Sequence, residues 1–270
     1  MKKIIVIALV AILSVVSVFA QAAAETQSST TKIVVGATPE PHAALLSLVV
    51  DDLAAQGITL EIKEFTDYVT PNDAVEYGEI DANYFQHIPY LESFNTEHGY
   101  HLVNAGGIHV EPIALYSSKY SSLSDLPNGA VIAIPNDPTN EGRALLLLQS
   151  AGLIKLKEGV GMKATPADVV ENPKNLKFQE LEAAQLPRSL ADVDASVITM
   201  NYVMSSGLSP KDQGIFLEDK DTPLAVMIIA AREKDKDQPA YQKFVKYYQS
   251  ESVKKFIAEK YKGTIVPAWE

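Results

Sequence analysis

The sequence predicts an α/β fold of two lobes with a ligand cleft between them. Strand-like and helix-like segments alternate along the chain, a pattern typical of parallel sheets covered by helices. The chain opens with a β-α-β pattern over residues 32–65, and such a unit places its two strands in one sheet. A turn-rich stretch at 121–129 and a second break near Asp221 bracket a middle block, which predicts an inserted second lobe.

The first lobe is predicted from elements on both sides of the middle block. Apolar residues at helical spacing fill residues 43–55, and Gly57 ends that helix. Residues 58–65 alternate between apolar and polar and predict a strand. The other predicted elements are strands at 32–37, 81–84, 101–105, 112–117 and 224–231, and helices at 72–78, 87–97 and within 238–262.

The middle block continues the alternation of strands and helices. Strands are predicted at 131–135, 176–181 and 195–198, and helices at 141–151, 184–190 and 201–206. We therefore expect lobe 1 to comprise residues 32–118 and 223–270, and lobe 2 to comprise residues 119–222. In such folds a ligand binds between the lobes, at the carboxyl ends of the strands.

The first 24 residues have the pattern of a secretory signal peptide. A basic start at residues 1–3 precedes sixteen residues without charge, and small residues follow at 20–24. Sixteen helical residues span ~24 Å, less than the ~30 Å core of a bilayer. Cleavage after Ala22 or Ala24 is therefore favoured over an uncleaved anchor. Residues 25–31 are small and polar and predict a flexible tether.

Composition and charge argue against several classes of protein. A net charge of −11 argues against a nucleic-acid binder. The absence of cysteine excludes a disulfide scaffold, a thiol nucleophile and zinc bound by cysteine. Short motifs of serine hydrolases, P-loop ATPases, zinc proteases and EF-hands are also missing. His98 and His101 form the only close histidine pair, whereas a metal site needs three or four ligands, so we expect no enzyme activity, cofactor or metal.

One candidate binding segment is DPTNEGR, at residues 137–143. Thr139 or Asn140 can cap the predicted helix and leave amide groups free for an anion. Arg143 lies one turn into the helix and can clamp a carboxylate with two hydrogen bonds. An ion pair at the surface, with Glu141 or another neighbouring acid, explains Arg143 equally well.

A second candidate segment, DANYFQHIPYL, places Tyr84, Phe85, His87 and Tyr90 at the end of a predicted strand. Tyr68 lies in a loop after an earlier strand. Each aromatic residue by itself predicts core packing. A group of them at strand ends, with an imidazole among them, can also form the wall of a pocket for an apolar side chain.

Both segments lie within longer motifs that resemble the methionine-binding solute receptors of the MetQ/NlpA lipoprotein family, which feed an ABC importer. The motifs are FTDYVTPN (65–72), GEIDANYFQHIPYL (78–91), PNDPTNEGRALLLLQSAGLIKL (135–156), VVENPKNLKFQELEAAQLPRSL (169–190) and GIFLEDKDTP (214–223). They span nearly the whole chain after the leader. The resemblance implies a two-lobed periplasmic-binding-protein fold, type 2-like, that closes on one amino acid.

The resemblance also implies roles for particular residues. The side-chain pocket of the family falls on Tyr68, Phe85 and His87. Its carboxylate-binding arginine falls on Arg143, which favours the carboxylate clamp over the surface ion pair. Asn140, in the same matched loop, is expected to add a contact.

Three features of the chain depart from the family pattern. Thr199 and Val226 stand where the family usually has asparagines that contact the backbone of the ligand. Asn201 can replace the first of them, although the start of a helix is expected to point it elsewhere. The third departure is the missing cysteine that carries the lipid in the family. We therefore expect a protein outside the cytoplasm that is not lipid-anchored.

Taken together, these features predict a monomeric extracytoplasmic solute-binding protein that delivers methionine or a related small amino acid to the permease of an ABC importer. Three alternatives stay open. The ligand can be an acylated amino acid or a dipeptide with a free carboxylate. The protein can also be a secreted interaction protein without a transport role, or a hydrolase.

Overall fold

The structure is a computed structural model that describes residues 30–219 and 225–269. The predicted signal peptide, residues 25–29 of the predicted tether and the break near Asp221 lie outside the described residues. Thr31, the last residue of the predicted tether, already belongs to the first strand. Within the described residues, no helix is both long and apolar enough to cross a membrane.

Strands and helices alternate through the described chain, as the sequence predicts. The strands are β1 (Thr31–Ala37), β2 (Ile58–Glu64), β3 (Ala82–His87), β4 (Leu102–Val110), β5 (Ala114–Tyr116), β6 (Val131–Pro135), β7 (Lys155–Leu156), β8 (Val169–Glu171), β9 (Lys177–Leu181), β10 (Ala195–Ile198), β11 (Gly214–Leu217), β12 (Val226–Arg232) and β13 (Val266–Pro267). The α-helices are α1 (Ala44–Ser47), α2 (Val50–Ala54), α3 (Thr70–Glu76), α4 (Ile88–His98), α5 (Pro138–Ser150), α6 (Leu186–Ser189), α7 (Met200–Ser206), α8 (Pro210–Gln213), α9 (Pro239–Tyr248) and α10 (Glu251–Tyr261). The helix predicted at 43–55 is thus divided into α1 and α2.

The first sheet has six strands in the order β2-β1-β3-β12-β4-β13. β1 pairs parallel with β2 and β3, which confirms the predicted β-α-β opening. β12 returns from late in the chain and pairs antiparallel with β3 and β4. Apolar residues of α9 and α10, among them Phe244 and Ile257, are fully buried in the core of this lobe.

The second sheet has five strands in the order β9-β6-β10-β5-β11. β6 pairs parallel with β9 and β10, and β5 pairs antiparallel with β10 and β11. In both sheets, the first strand after a chain crossing, β5 or β12, therefore pairs antiparallel with both of its neighbours. The predicted two-lobed α/β fold is confirmed.

The chain crosses between the sheets after β4 and again after β11. The two crossings lie side by side, because the Ile113 N–H donates to the Glu218 carboxylate at 3.1 Å and the Glu218 N–H donates to the Ile113 carbonyl at 2.9 Å. β5 already belongs to the second sheet. We therefore propose that the first segment of lobe 1 ends at residues 111–113, somewhat before the expected boundary at 118.

The two lobes are packed against each other. One buried apolar cluster contains Ile33 and Tyr84 of the first sheet together with Met200 and Val203 of α7, which follows a strand of the second sheet. The carboxyl ends of β3 and β10 consequently face each other across a closed cleft, where the candidate site lies.

Candidate functional site

A small cavity lies between the two sheets. The residues that line it are Tyr68, Phe85, Gln86, His87, Tyr90, Glu111, Ile113, Asn140, Arg143, Thr199, Met200, Asn201 and Met227. Six of the seven residues predicted from the sequence are among them, and Val226 is the exception. The structure thus brings together side chains from both lobes and from the first crossing.

Val226 and Met227 begin β12, and only Met227 lines the cavity. Val226 packs instead against an apolar cluster that includes Ile228 and Ala230. Successive side chains of a strand point to opposite faces of the sheet. The expected ligand-contacting position at the start of this strand is therefore held by Met227, and the structure does not bring Val226 to the site.

Three aromatic rings form one wall of the cavity. The ring centroid of Tyr68 lies 5.6 Å from that of Phe85 and 5.9 Å from that of Tyr90, and Phe85 and Tyr90 are 5.8 Å apart. Phe85 and His87 share a face of β3 because they are two residues apart. Tyr84 points to the other face, where its hydroxyl lies 2.5 Å from His109 Nδ1 in the core. The predicted aromatic wall therefore exists without Tyr84.

His87 ends β3 and caps helix α4, since its Nδ1 accepts a hydrogen bond from the Tyr90 N–H at 3.0 Å. The proton of the neutral ring is therefore on Nε2, which donates to Asn140 Oδ1 at 3.1 Å, across the cleft. Burial, reinforced by the charge of Arg143, lowers the pKa of His87 to about 3. The imidazole is thus neutral at physiological pH and suits an apolar ligand group.

Asp137 caps helix α5, so the expectation that Thr139 or Asn140 caps it is wrong. The Asp137 carboxylate accepts from the Asn140 N–H at 3.0 Å and from the Asn140 side-chain amide at 3.0 Å and 3.1 Å. Burial raises the pKa of Asp137, and these hydrogen bonds oppose that effect. A carboxylate of the chain itself thus occupies the start of the helix, and Asn140 is held between Asp137 and His87.

Arg143 is buried, with 2% of its side chain exposed, and it contacts both crossings between the lobes. Its Nε donates to Glu218 Oε1 at 2.9 Å, and its Nη2 donates to Glu218 Oε2 at 2.5 Å and to the Glu111 carbonyl at 2.7 Å. Nη1 donates to no residue that the structure describes. The alternative of a surface ion pair with Glu141 is therefore wrong. Glu218 orients the guanidinium, and Nη1 is left as a donor for an additional acceptor.

Tyr68 connects the lobes on the other side of the cavity. Its hydroxyl donates to Asn201 Oδ1 at 2.6 Å and lies 2.8 Å from Thr199 Oγ1. Thr199 occupies the N-cap position of α7 without a capping hydrogen bond from its side chain, and Asn201 in the first turn of α7 lines the cavity. The expectation that the helix start points Asn201 elsewhere is thus wrong.

Glu111, which no sequence motif indicated, lines the cavity and is 3% exposed. Its Oε2 lies 3.2 Å from His109 Nε2 and 3.3 Å from His42 Nε2. Burial by itself would raise the pKa of Glu111, but His42 and His109 outweigh it and bring the pKa to about 2. The sequence signal that could have indicated Glu111 is an acidic residue directly after a strand whose last residues are buried.

His42, His109 and Glu111 are also the group of described residues that could hold a metal ion. Their candidate ligand atoms all lie within 4.8 Å of one another. By contrast, His98 of the sequence-predicted pair stacks on Phe94 at 3.9 Å between ring centroids, and its Nδ1 bonds the Phe94 carbonyl at 3.1 Å. The pair at 98 and 101 therefore does not belong to such a group among the described residues.

Comparisons with known proteins cover both lobes. The family model described as NlpA lipoprotein matches residues 33–269. The D-methionine-binding lipoprotein MetQ of Escherichia coli (strain K12) is 51% identical over 215 residues, which are 79% of each chain. A nutrient binding protein from Burkholderia cenocepacia bound to methionine has a TM-score of 0.84 and 49% identity, covering 88% of this chain and 100% of that chain. The methionine binding protein MetQ has a TM-score of 0.85 and 47% identity, covering 88% of this chain and 98% of that chain.

The match extends over the two sheets, both crossings and the cavity between them. Several relatives are named lipoproteins, whereas this chain contains no cysteine. That difference concerns the attachment of a lipid and leaves the matched residues unaffected. The family model covers nearly every described residue, and relatives are about half identical over most of this chain. The chain therefore belongs to the NlpA lipoprotein family.

Proposed function

We propose that the protein is an extracytoplasmic solute-binding protein that captures methionine, or a related small amino acid, for an ABC importer. The observation that carries the proposal is a cavity with an aromatic wall and a buried arginine. The faces of Tyr68 and Phe85 suit an apolar or thioether side chain. Nη1 of Arg143 suits the carboxylate of the same molecule, because charged hydrogen bonds of this type are strong.

Closure of the lobes supports a carrier role. Tyr68 bonds Asn201 and His87 bonds Asn140, so two hydrogen bonds join the lobes directly beside the cavity. A ligand that contacts both lobes stabilises the closed form over the open one. A permease that recognises the closed form would then receive loaded protein. No catalytic step is part of this proposal, and the relatives named for binding methionine support it.

The relatives also support a place outside the cytoplasm, since lipoproteins of this family act there. We propose that residues 1–24 direct export and are removed, and that the mature protein is not held by a lipid. Intact mass of the exported protein tests this directly. A mass beginning at Ala23 or Glu25 is expected, and a mass that retains residues 1–22 or includes a lipid would contradict it.

Native mass spectrometry of freshly purified protein, followed by thermal unfolding with added methionine, tests the proposed ligand. We expect a bound small molecule or, after its removal, stabilisation by methionine. At a hundredfold excess over Kd this stabilisation amounts to ~2.7 kcal/mol. Stabilisation by no amino acid or dipeptide would favour the interaction-protein alternative, and turnover of an added compound would favour the hydrolase.

A further inference from the structure

Two residues that line the cavity each have a buried polar atom without a hydrogen-bond partner among the described residues. Glu111 Oε1 is an unpartnered acceptor, and Asn201 Nδ2 is an unpartnered donor. Leaving such groups unpaired in the interior is costly, and costlier for a charged one. A molecule with both an ammonium and a carboxylate group would satisfy both atoms, because its ammonium can donate to the acceptor and its carboxylate can accept from the donor.

The surroundings of Glu111 explain why one oxygen is unpartnered. His109 and His42 both approach Oε2, at 3.2 Å and 3.3 Å, and neither is described as bonding Oε1. Glu111 therefore has one carboxylate oxygen held in the core and the other still to be satisfied.

The position of Glu111 next to Arg143 gives the site two opposite charges. Nη2 of Arg143 donates to the backbone carbonyl of Glu111 at 2.7 Å, so the guanidinium and Glu111 are neighbours. Glu218 already pairs with Arg143. The Glu111 carboxylate lacks such an ion pair with a lysine or arginine among the described residues.

We infer that Glu111 accepts the ammonium group of the ligand through Oε1 and makes a free primary ammonium a requirement for tight binding. The inference rests on the proposed function and deepens it. This ammonium can belong to a free amino acid or to a dipeptide. In a dipeptide it lies one peptide unit further from the carboxylate. An N-acylated amino acid offers the Glu111 carboxylate only a neutral amide N–H in place of a charged ammonium, so this alternative from the sequence is disfavoured.

Two pairs of ligands that differ only in the amino group provide the test. Methionine is compared with 4-(methylthio)butanoate, and glycylmethionine is compared with N-acetylmethionine, by titration calorimetry at one pH. For the wild-type protein, removal of the amino group should weaken binding at least about tenfold in one pair, as expected for a charged hydrogen bond. The pair that shows the effect identifies the source of the ammonium.

The variant Glu111→Gln keeps the size of the side chain and removes its charge. If Glu111 contacts the ammonium, the difference within the responsive pair should shrink to about threefold or less, because the two changes are coupled. Glu141→Gln is the matched control, since Glu141 is also buried but does not line the cavity. That control should retain the wild-type difference.

Each outcome distinguishes the inference from the proposed function. A wild-type protein that binds none of the four ligands contradicts the proposed function itself. Binding without discrimination inside either pair overturns only the role of Glu111, even where Glu111→Gln does not fold. Elemental analysis adds a separate check, because a stoichiometric metal bound by His42, His109 and Glu111 would take up the free oxygen and overturn the inference as well.

Discussion

Replacement of Tyr68 by Phe removes one hydroxyl group that joins the two lobes. In the structure this hydroxyl donates to Asn201 Oδ1 at 2.6 Å and lies 2.8 Å from Thr199 Oγ1. The ring itself should stay in place, because its centroid lies 5.6 Å from Phe85 and 5.0 Å from Tyr202. The change is therefore confined to the hydrogen bonds of the closed form.

The expected magnitude follows from the two hydrogen bonds that are lost. Each contributes ~0.5–1.5 kcal/mol, so the closed form should lose ~1–3 kcal/mol relative to the open form, in which water can satisfy the same groups. Ligand affinity should fall by ~5- to 150-fold. Because the lobes must open before the ligand leaves, most of the change should appear in the dissociation rate.

Calorimetry and stopped-flow displacement of methionine measure the two quantities. Tyr241→Phe is the matched control, since the Tyr241 hydroxyl bonds the Asp81 carbonyl at 3.3 Å within lobe 1 and away from the cavity. Its affinity should equal that of the wild-type protein. Unchanged affinity and dissociation rate in Tyr68→Phe would refute the role of this hydrogen bond in closure.

Three further predictions follow from the same site. Arg143→Ala should weaken methionine binding at least ~10-fold in calorimetry, because the carboxylate loses a charged donor and Glu218 loses its partner; equal affinity would contradict the carboxylate clamp. Met227→Ala should weaken binding by ~5- to 30-fold through lost apolar contact, whereas Val226→Ala should leave binding unchanged. The reverse result would contradict the observation that Met227, and not Val226, faces the cavity. Burial lowers the pKa of His87 from 6.5 to about 3, so below pH 6.5 the unfolded state takes up a proton that the folded state does not. Stability should thus fall as the pH drops toward 3, by up to ~1.4 kcal/mol per pH unit, and urea titrations at pH 7 and 5 should show a smaller loss in His87→Gln than in the wild-type protein.

Patterns in the local sequence determined much of the fold of this protein and part of its cavity. The alternation of strand and helix signals predicts the α/β lobes, and residues two apart at the end of β3 place Phe85 and His87 on one wall of the cavity. These features depend on neighbours in the chain. The resemblance to the family then directs attention to Arg143, because the motif around it is long and continuous.

The tertiary structure decided which partners those residues meet. Arg143 and Glu218 are 75 residues apart, and Tyr68 and Asn201 are 133 apart, so their contacts exist only because the tertiary fold brings distant segments together at the cleft. The unpartnered oxygen of Glu111 likewise depends on packing in the closed cleft. The local sequence could not predict which side chains of β12 face the cavity, because Met227–Ala231 are all buried and no polar residue marks the outer face. Only its pairing with β3 and β4, which includes irregularities of register, sets Met227 toward the cavity and Val226 away from it.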